Sequence, residues 1–346
     1  SERGLIMEEL RTRDGEQARA QHDRFQNLFK GSLYEHRNLI GYLDGLKSFD
    51  HTALETFYKK WYRPEYQYLV IVGDIDVDKV ETKIKTLMSD IPSSPADAAE
   101  KELITVPTTE KPIISIFTDA ELTQSSVMMF ARREAMPKEY KNTMMGISVE
   151  YINTFVTMMM NNRLNEIAKR ADAPFLGCSM SEGGIGVCPT LEATHFSVTA
   201  HEGRTDDAFR AMYTEMERMR RHGFTAGEFE RAKQELLRWA ERQYTNRNDV
   251  YNNEYAERYL DHIKYGRSIM DAETEWQLDQ ALINSLTVEQ INEVYRQIAK
   301  PNENLVILVR SPKKDGVKVA SEDDIKSIIA EVEASEIKPY ADNTII

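Results

Sequence analysis

Residues 49–72 and 286–309 carry one pattern twice, and this repeat constrains the fold more than any other feature. The first copy runs Asp50, then Leu54, Phe57, Tyr58 and Trp61 at helical spacing, then Pro64 and the apolar run Leu69-Val70-Ile71-Val72. The second runs Thr287, then Ile291, Val294, Tyr295 and Ile298, then Pro301 and Leu305-Val306-Ile307-Leu308. The offset is 237 residues, with a slip of one after the proline. Each copy predicts a capped amphipathic helix, a proline-containing turn and a buried strand. A repeat of so long a period is a fold-level signal; the bland alternative is chance similarity of two helix–turn–strand units. About 174 residues, counted from Ile113, precede the second copy's cap, but only 49 precede the first. Two equivalent domains would leave the first short of about 125 residues at its front.

The remaining pattern is mixed. Residues 2–30 read as one charged helix, 31–45 as a loop, and 77–88 as a second helix after Gly73-Asp74. Residues 91–99, with Pro92, Pro95 and two serines, read as a linker between two chain regions. Strands are expected at about 112–118 and 126–132, then at 175–180 and 194–200 around a turn holding Gly183, Gly184 and Gly186. A long helix follows Pro137. Thr205 opens another, with Phe209, Met212, Tyr213 and Met216 on one face, ending at Gly223. Thr225-Ala226-Gly227-Glu228 is a capping-box pattern. Strands and helices that do not alternate regularly predict an α+β fold with antiparallel sheets.

Composition narrows the function. The 346 residues suffice for about two domains, and a net charge of −13 leaves no basic excess for nucleic acid. No apolar run approaches the ~18 residues of a membrane span. Ser1-Glu2-Arg3-Gly4 has neither a basic n-region nor an apolar h-region, and no initiator Met. It starts inside the predicted helix, which reads as a processed or excised fragment. Cys178 and Cys188 could face each other across a hairpin, or be two buried thiols.

Chemistry is sparse. The chain has no HExxH, HxxEH, CxxC, GxGxxG or P-loop pattern. His195 and His201 are six apart; on an ideal strand they share a face but sit about 20 Å apart, too far for one metal. The methionines at 144, 145, 158, 159 and 160 read as core filling. One pair remains. Glu2 and Glu9 are seven apart in the predicted helix, a turn of about 700°, so both carboxylates leave nearly the same face two turns apart. In isolation such a pair reads as a solvated helix face.

Glu2-Arg3-Gly4-Leu5-Ile6-Met7-Glu8-Glu9-Leu10 resembles the segment after the active-site helix of the pitrilysin/insulinase zinc peptidases. Trp61-Tyr62-Arg63-Pro64 and Val72-Gly73-Asp74 are similar to that family's "Y-x-P" turn and "VGD" strand. Asn162-Arg163-Leu164 and Gly223-Phe224-Thr225 with Glu228 resemble landmarks of its next domain. The resemblance covers about residues 2–311, and the order of the motifs makes it specific. It implies repeated antiparallel sheets packed with helices, as in mitochondrial processing peptidase, with the first repeat truncated. Residues 1–98 would close a first, zinc-bearing domain. Residues 99–311 would form a complete, non-catalytic second domain, and 312–346 a linker towards a missing second half.

On that match Glu9 is the zinc ligand and Glu2 its supporting carboxylate. The family's HxxEH supplies two His ligands and the general base, with a fourth position on zinc left for water. Here that motif is absent, so the resemblance implies zinc and peptide hydrolysis in the full-length protein and neither in this fragment. Ala168 and Phe175 stand where the family's last domain carries a substrate-holding Arg and Tyr, which implies the second position in the array. The implied partners are peptide substrates, the missing N-terminal segment, and a second half in the same chain or a partner subunit. Two readings compete: a non-catalytic, structural or partner-binding family member, and an unrelated α+β binding domain. The residues fix no compartment; the resemblance points to a bacterial envelope or periplasm.

Overall fold

The computed structural model describes residues 2–37 and 39–342. Ser1, Asn38 and 343–346, the last four of the expected linker, lie outside them. The first region holds α1 (Glu2–Thr12), α2 (Glu16–Leu28), α3 (Leu43–Ser48), α4 (His51–Trp61) and α5 (Val77–Met88). Then come β1 (Ile113–Asp119), β2 (Ser125–Glu134), α6 (Lys138–Lys141), α7 (Met144–Ala168), β3 (Gly177–Ile185) and β4 (Cys188–Ala200). Helices α8 (Thr205–His222), α9 (Ala226–Thr245), α10 (Asn252–Tyr265), α11 (Ala272–Ser285) and α12 (Val288–Ile298) follow. Strand β5 (Leu305–Pro312) and α13 (Glu322–Ala334) close the order.

Local chemistry sets the helix bounds. Asp50, Thr225 and Thr287 each accept a backbone N–H at the start of a helix, and the last two complete capping boxes. Gly223, at φ 70°, ends α8. The expected single helix over 2–30 is instead two, α1 and α2. Asp14-Gly15 breaks it, with Gly15 extended as the N-cap of α2.

The five strands form one sheet in the order β1-β5-β2-β4-β3. Three pairings are antiparallel as expected; β1 and β5 are parallel, so the sheet is mixed. The long chain between β1 and β5 supplies the crossover that parallel pairing requires. Alternation along β2 sends Val127, Met129 and Ala131 to one face, packed with α7, α8, α12 and α13. Met128 and Phe130 point to the other face, where Leu28 and Phe29 cover them. Helix α13 belongs to this packed unit, because Ile325, Ile328 and Val332 are buried. The stretch read as a linker is therefore folded onto the domain as far as it is described.

The two repeat copies diverge. In the second, α12 buries Ile291 and Tyr295, and β5 is a central strand buried along Leu305-Val309. In the first, α4 and its cap form as expected, but residues 66–72 make no strand. Leu69 is 62% exposed, and Leu54, Phe57 and Tyr58 on α4 are more than half exposed. A strand exists only by pairing, and no other strand among the described residues lies beside 66–72. Arg63 nevertheless ties this turn down: its guanidinium lies over Tyr66 and donates to the Ala99 carbonyl.

The cysteines sit at opposite ends of the β3–β4 hairpin, Cys178 opposite Val198 and Cys188 opposite Ile185. They do not face each other; both are buried, free thiols. Of the methionines, 159 and 160 fill the core and 158 packs against it, while 144 and 145, on the first turn of α7, are exposed.

Candidate functional site

Glu2 and Glu9 lie on α1, both exposed. Seven residues of helix separate them by about 10.5 Å along the axis, on nearly one face. Arg3 anchors their helix. Its guanidinium donates to the Lys47 carbonyl at 2.9 Å and the Phe49 carbonyl at 2.6 Å, and lies 4.5 Å from the Phe49 ring centroid. Glu9 pairs with Arg13 one turn on, and Glu8 pairs with Arg11. Such exposed pairs are screened by water and contribute little, so a stronger cation displaces Arg13 readily.

Zinc needs at least three protein ligands converging within about 2.3 Å of one point. No group of three or more His, Cys, Asp or Glu among the described residues is placed to do so. Glu2 and Glu9 are too far apart along α1 to meet on one ion. The described residues alone therefore do not fit a zinc site; Glu9 can offer one carboxylate to a site completed by other donors.

The two landmark segments meet in space. Arg163 on α7 is fully buried and grips Glu228 on α9 through two bonds of 2.9 Å, Nε to Oε1 and Nη2 to Oε2. Its Nη2 also reaches the Gly223 carbonyl at 3.3 Å, and the Phe224 and Tyr340 rings flank it at 5.0 and 4.3 Å. Gly223 is required here: a Cβ would sit 2.4 Å from the Asn292 side chain, which bonds the backbone N–H and carbonyl of Phe224. These landmarks hold the domain together and offer no open site. Phe175 is buried in the same core.

The two histidines do separate work. His201, just beyond β4, meets the Ala173 carbonyl at 3.2 Å. His195 stacks on Phe130 at 4.2 Å, and Arg24 lies over that same phenyl ring. Burial, then the Arg24 charge, pushes the imidazole down to about 4. The folded state keeps the ring neutral, while an unfolded His takes a proton near pH 6.5. Stability is thus full above pH ~6.5 and is lost as pH falls towards ~4, by up to roughly 3 kcal/mol from this group. Urea midpoints near pH 7.5 and near pH 5 should therefore differ less in His195→Phe than in the parent; an equal difference removes His195 as a cause.

A family profile described as "Peptidase M16 inactive domain" matches residues 48–236, from just before α4 into α9. The chain is 24% identical over 336 residues to "Zinc protease PQQL-like" of Arabidopsis thaliana, covering 97% of this chain and 31% of that protein. Its fold matches the crystal structure of the periplasmic protease PqqL from Escherichia coli with a TM-score of 0.85 at 20% identity, over 100% of this chain and 38% of that one. The separately solved first half of that protease matches with a TM-score of 0.84 at 21% identity, over 98% of this chain and 71% of that half. The chain spans about a third of the length of the curated relatives it matches. With a profile match over more than half its residues and this α+β fold, the chain belongs to the peptidase M16 family of pitrilysin/insulinase-type proteins and carries that family's inactive domain.

Proposed function

We propose that this chain is part of a zinc-dependent endopeptidase that degrades or processes peptides in a closed chamber. Residues 1–98 close the first, zinc-bearing domain; 99–311 form the complete second domain, a wall of the chamber; 312–346 lead towards a second half. Glu9 supplies one zinc ligand and Glu2 supports it. The observation that carries this reading is the unequal repeat: one unit occurs twice, and only the second copy has a sheet around its strand. An exposed, unpaired 66–72 beside an exposed α4 face is what a domain deprived of its sheet looks like. The relatives are zinc proteases by name, which supports the chemistry, and one of the matched proteases is periplasmic, which supports an envelope location.

The test has two parts. The gene upstream of Ser1 should encode HxxEH several tens of residues before Glu2. If it does not, the non-catalytic member of the family becomes the better reading. Calorimetry on the present chain should show no zinc binding in the nanomolar range, and an unstructured peptide should remain uncleaved. Tight zinc binding by this chain alone would mean that its ligands lie elsewhere than proposed.

A further inference from the structure

Helices α9, α10 and α11 enclose a groove of about 760 Å³. That volume is ordinary for a ligand cleft. Two chemistries share its walls. Trp239 and Tyr259 are each nearly half exposed, and Tyr244 stacks on Trp276 at 5.6 Å. Around these rings stand six carboxylates against two guanidiniums.

Three of the six carboxylates are held in place. Asp271 caps α11 through the Thr274 N–H at 2.9 Å, Glu275 pairs with Arg258 at 2.7 Å, and Asp279 is buried against the Tyr151 hydroxyl. Fixed anions need no ordering when a cation arrives, and aromatic faces beside them attract its head group further. The groove already shows this preference internally, since the Arg247 guanidinium lies 4.2 Å from the Tyr244 ring centroid.

Helix α10 forms the outer wall and buries none of its residues. It is tied at one side by Arg258 to Glu275 and at its C-terminus by Gly266. There φ is 73°, and a Cβ would come within 2.6 Å of the Lys138 carbonyl oxygen. The wall is thus held at Arg258 and at its C-terminal end, with Tyr259 left 43% exposed.

We propose that this groove binds a Lys- or Arg-bearing stretch of polypeptide, with its cationic side chains over Trp239 and Tyr259 and among the carboxylates of α10 and α11. This goes beyond the peptidase reading and requires neither Glu9 nor hydrolysis. The probe is a fluorescein-labelled Lys-Gly-Ser repeat peptide titrated with the purified protein, alongside its Glu-Gly-Ser counterpart. The cationic peptide should bind saturably, more weakly at high salt, with a change in Trp fluorescence; the anionic one should not bind. Trp239→Ala and Glu257→Lys, both at exposed groove positions, should each weaken binding roughly tenfold. Glu289→Lys, on α12 with the same change in charge, should leave binding unchanged. If Trp239→Ala misfolds by circular dichroism, Tyr259→Ser makes the same test. Equal weakening by Glu257→Lys and Glu289→Lys means attraction to net charge alone and overturns the groove, as does the absence of saturable binding.

Discussion

Glu228→Ala is expected to lower the stability of the fold by about 3–5 kcal/mol, the cost of breaking a buried ion pair and leaving one charge behind. Arg163 has no route to water: its side chain is fully buried, and its Nη1 already lacks a partner. Removing the carboxylate leaves the guanidinium among Phe224, Tyr340 and the core with only the Gly223 carbonyl, at 3.3 Å, to accept from it. The same carboxylate accepts the Thr225 N–H at 2.9 Å, so α9 loses half its capping box, worth up to about 1 kcal/mol more. Against a typical total of 5–15 kcal/mol, this change brings the domain close to unfolding at room temperature. A urea titration followed by circular dichroism reads the shift. The paired change Arg163→Met with Glu228→Leu should recover much of the loss, because no buried charge then remains unpaired. If Glu228→Ala shifts the midpoint by less than about 1 kcal/mol, the pair is not the clamp between α7 and α9.

What could be read from sequence was what neighbouring residues decide. Asp50, Thr225, Thr287 and Gly223 mark helix ends through bonds made within one turn, so α4, α9, α12 and the end of α8 fall where the spacing puts them. The strand at Leu305-Val309 and the failed one at Leu69-Val72 have nearly the same local pattern. They differ only in whether other strands stand beside them, and periodicity carries no information about that. The parallel β1–β5 pairing is hidden for the same reason, since a parallel neighbour lies far away along the chain. Arg163 and Glu228 were visible as separate landmarks; 65 residues between them concealed that one neutralises the other. The burial of Ile325, Ile328 and Val332 likewise depends on α8 being underneath, which made a packed helix resemble a linker.

Spacing alone left Glu2 and Glu9 as a solvated helix face, and only the resemblance assigned them to zinc; on that proposed reading a sharp contrast is available in the full-length protein. Glu9→Gln should lower zinc affinity by on the order of 10²–10³, because a site of three protein ligands loses one outright and two imidazoles hold the ion poorly. Peptide hydrolysis should fall with it at ordinary zinc concentrations. Glu2→Gln should cost less, about 10–100-fold, as a partner that supports the ligand without touching the metal. Glu8→Gln is the decisive control. Glu8 is exposed like Glu9, and it has the same kind of exposed pair, with Arg11 in place of Arg13. It differs by one residue, which turns its carboxylate about 100° around α1 and away from the face that Glu2 and Glu9 share. Zinc content after dialysis against a chelator, measured beside peptide cleavage, should therefore rank the three variants Glu9, Glu2, Glu8 from greatest loss to none. Equal zinc retention in Glu9→Gln and Glu8→Gln would return Glu9 to the solvated helix face that its exposure alone suggests.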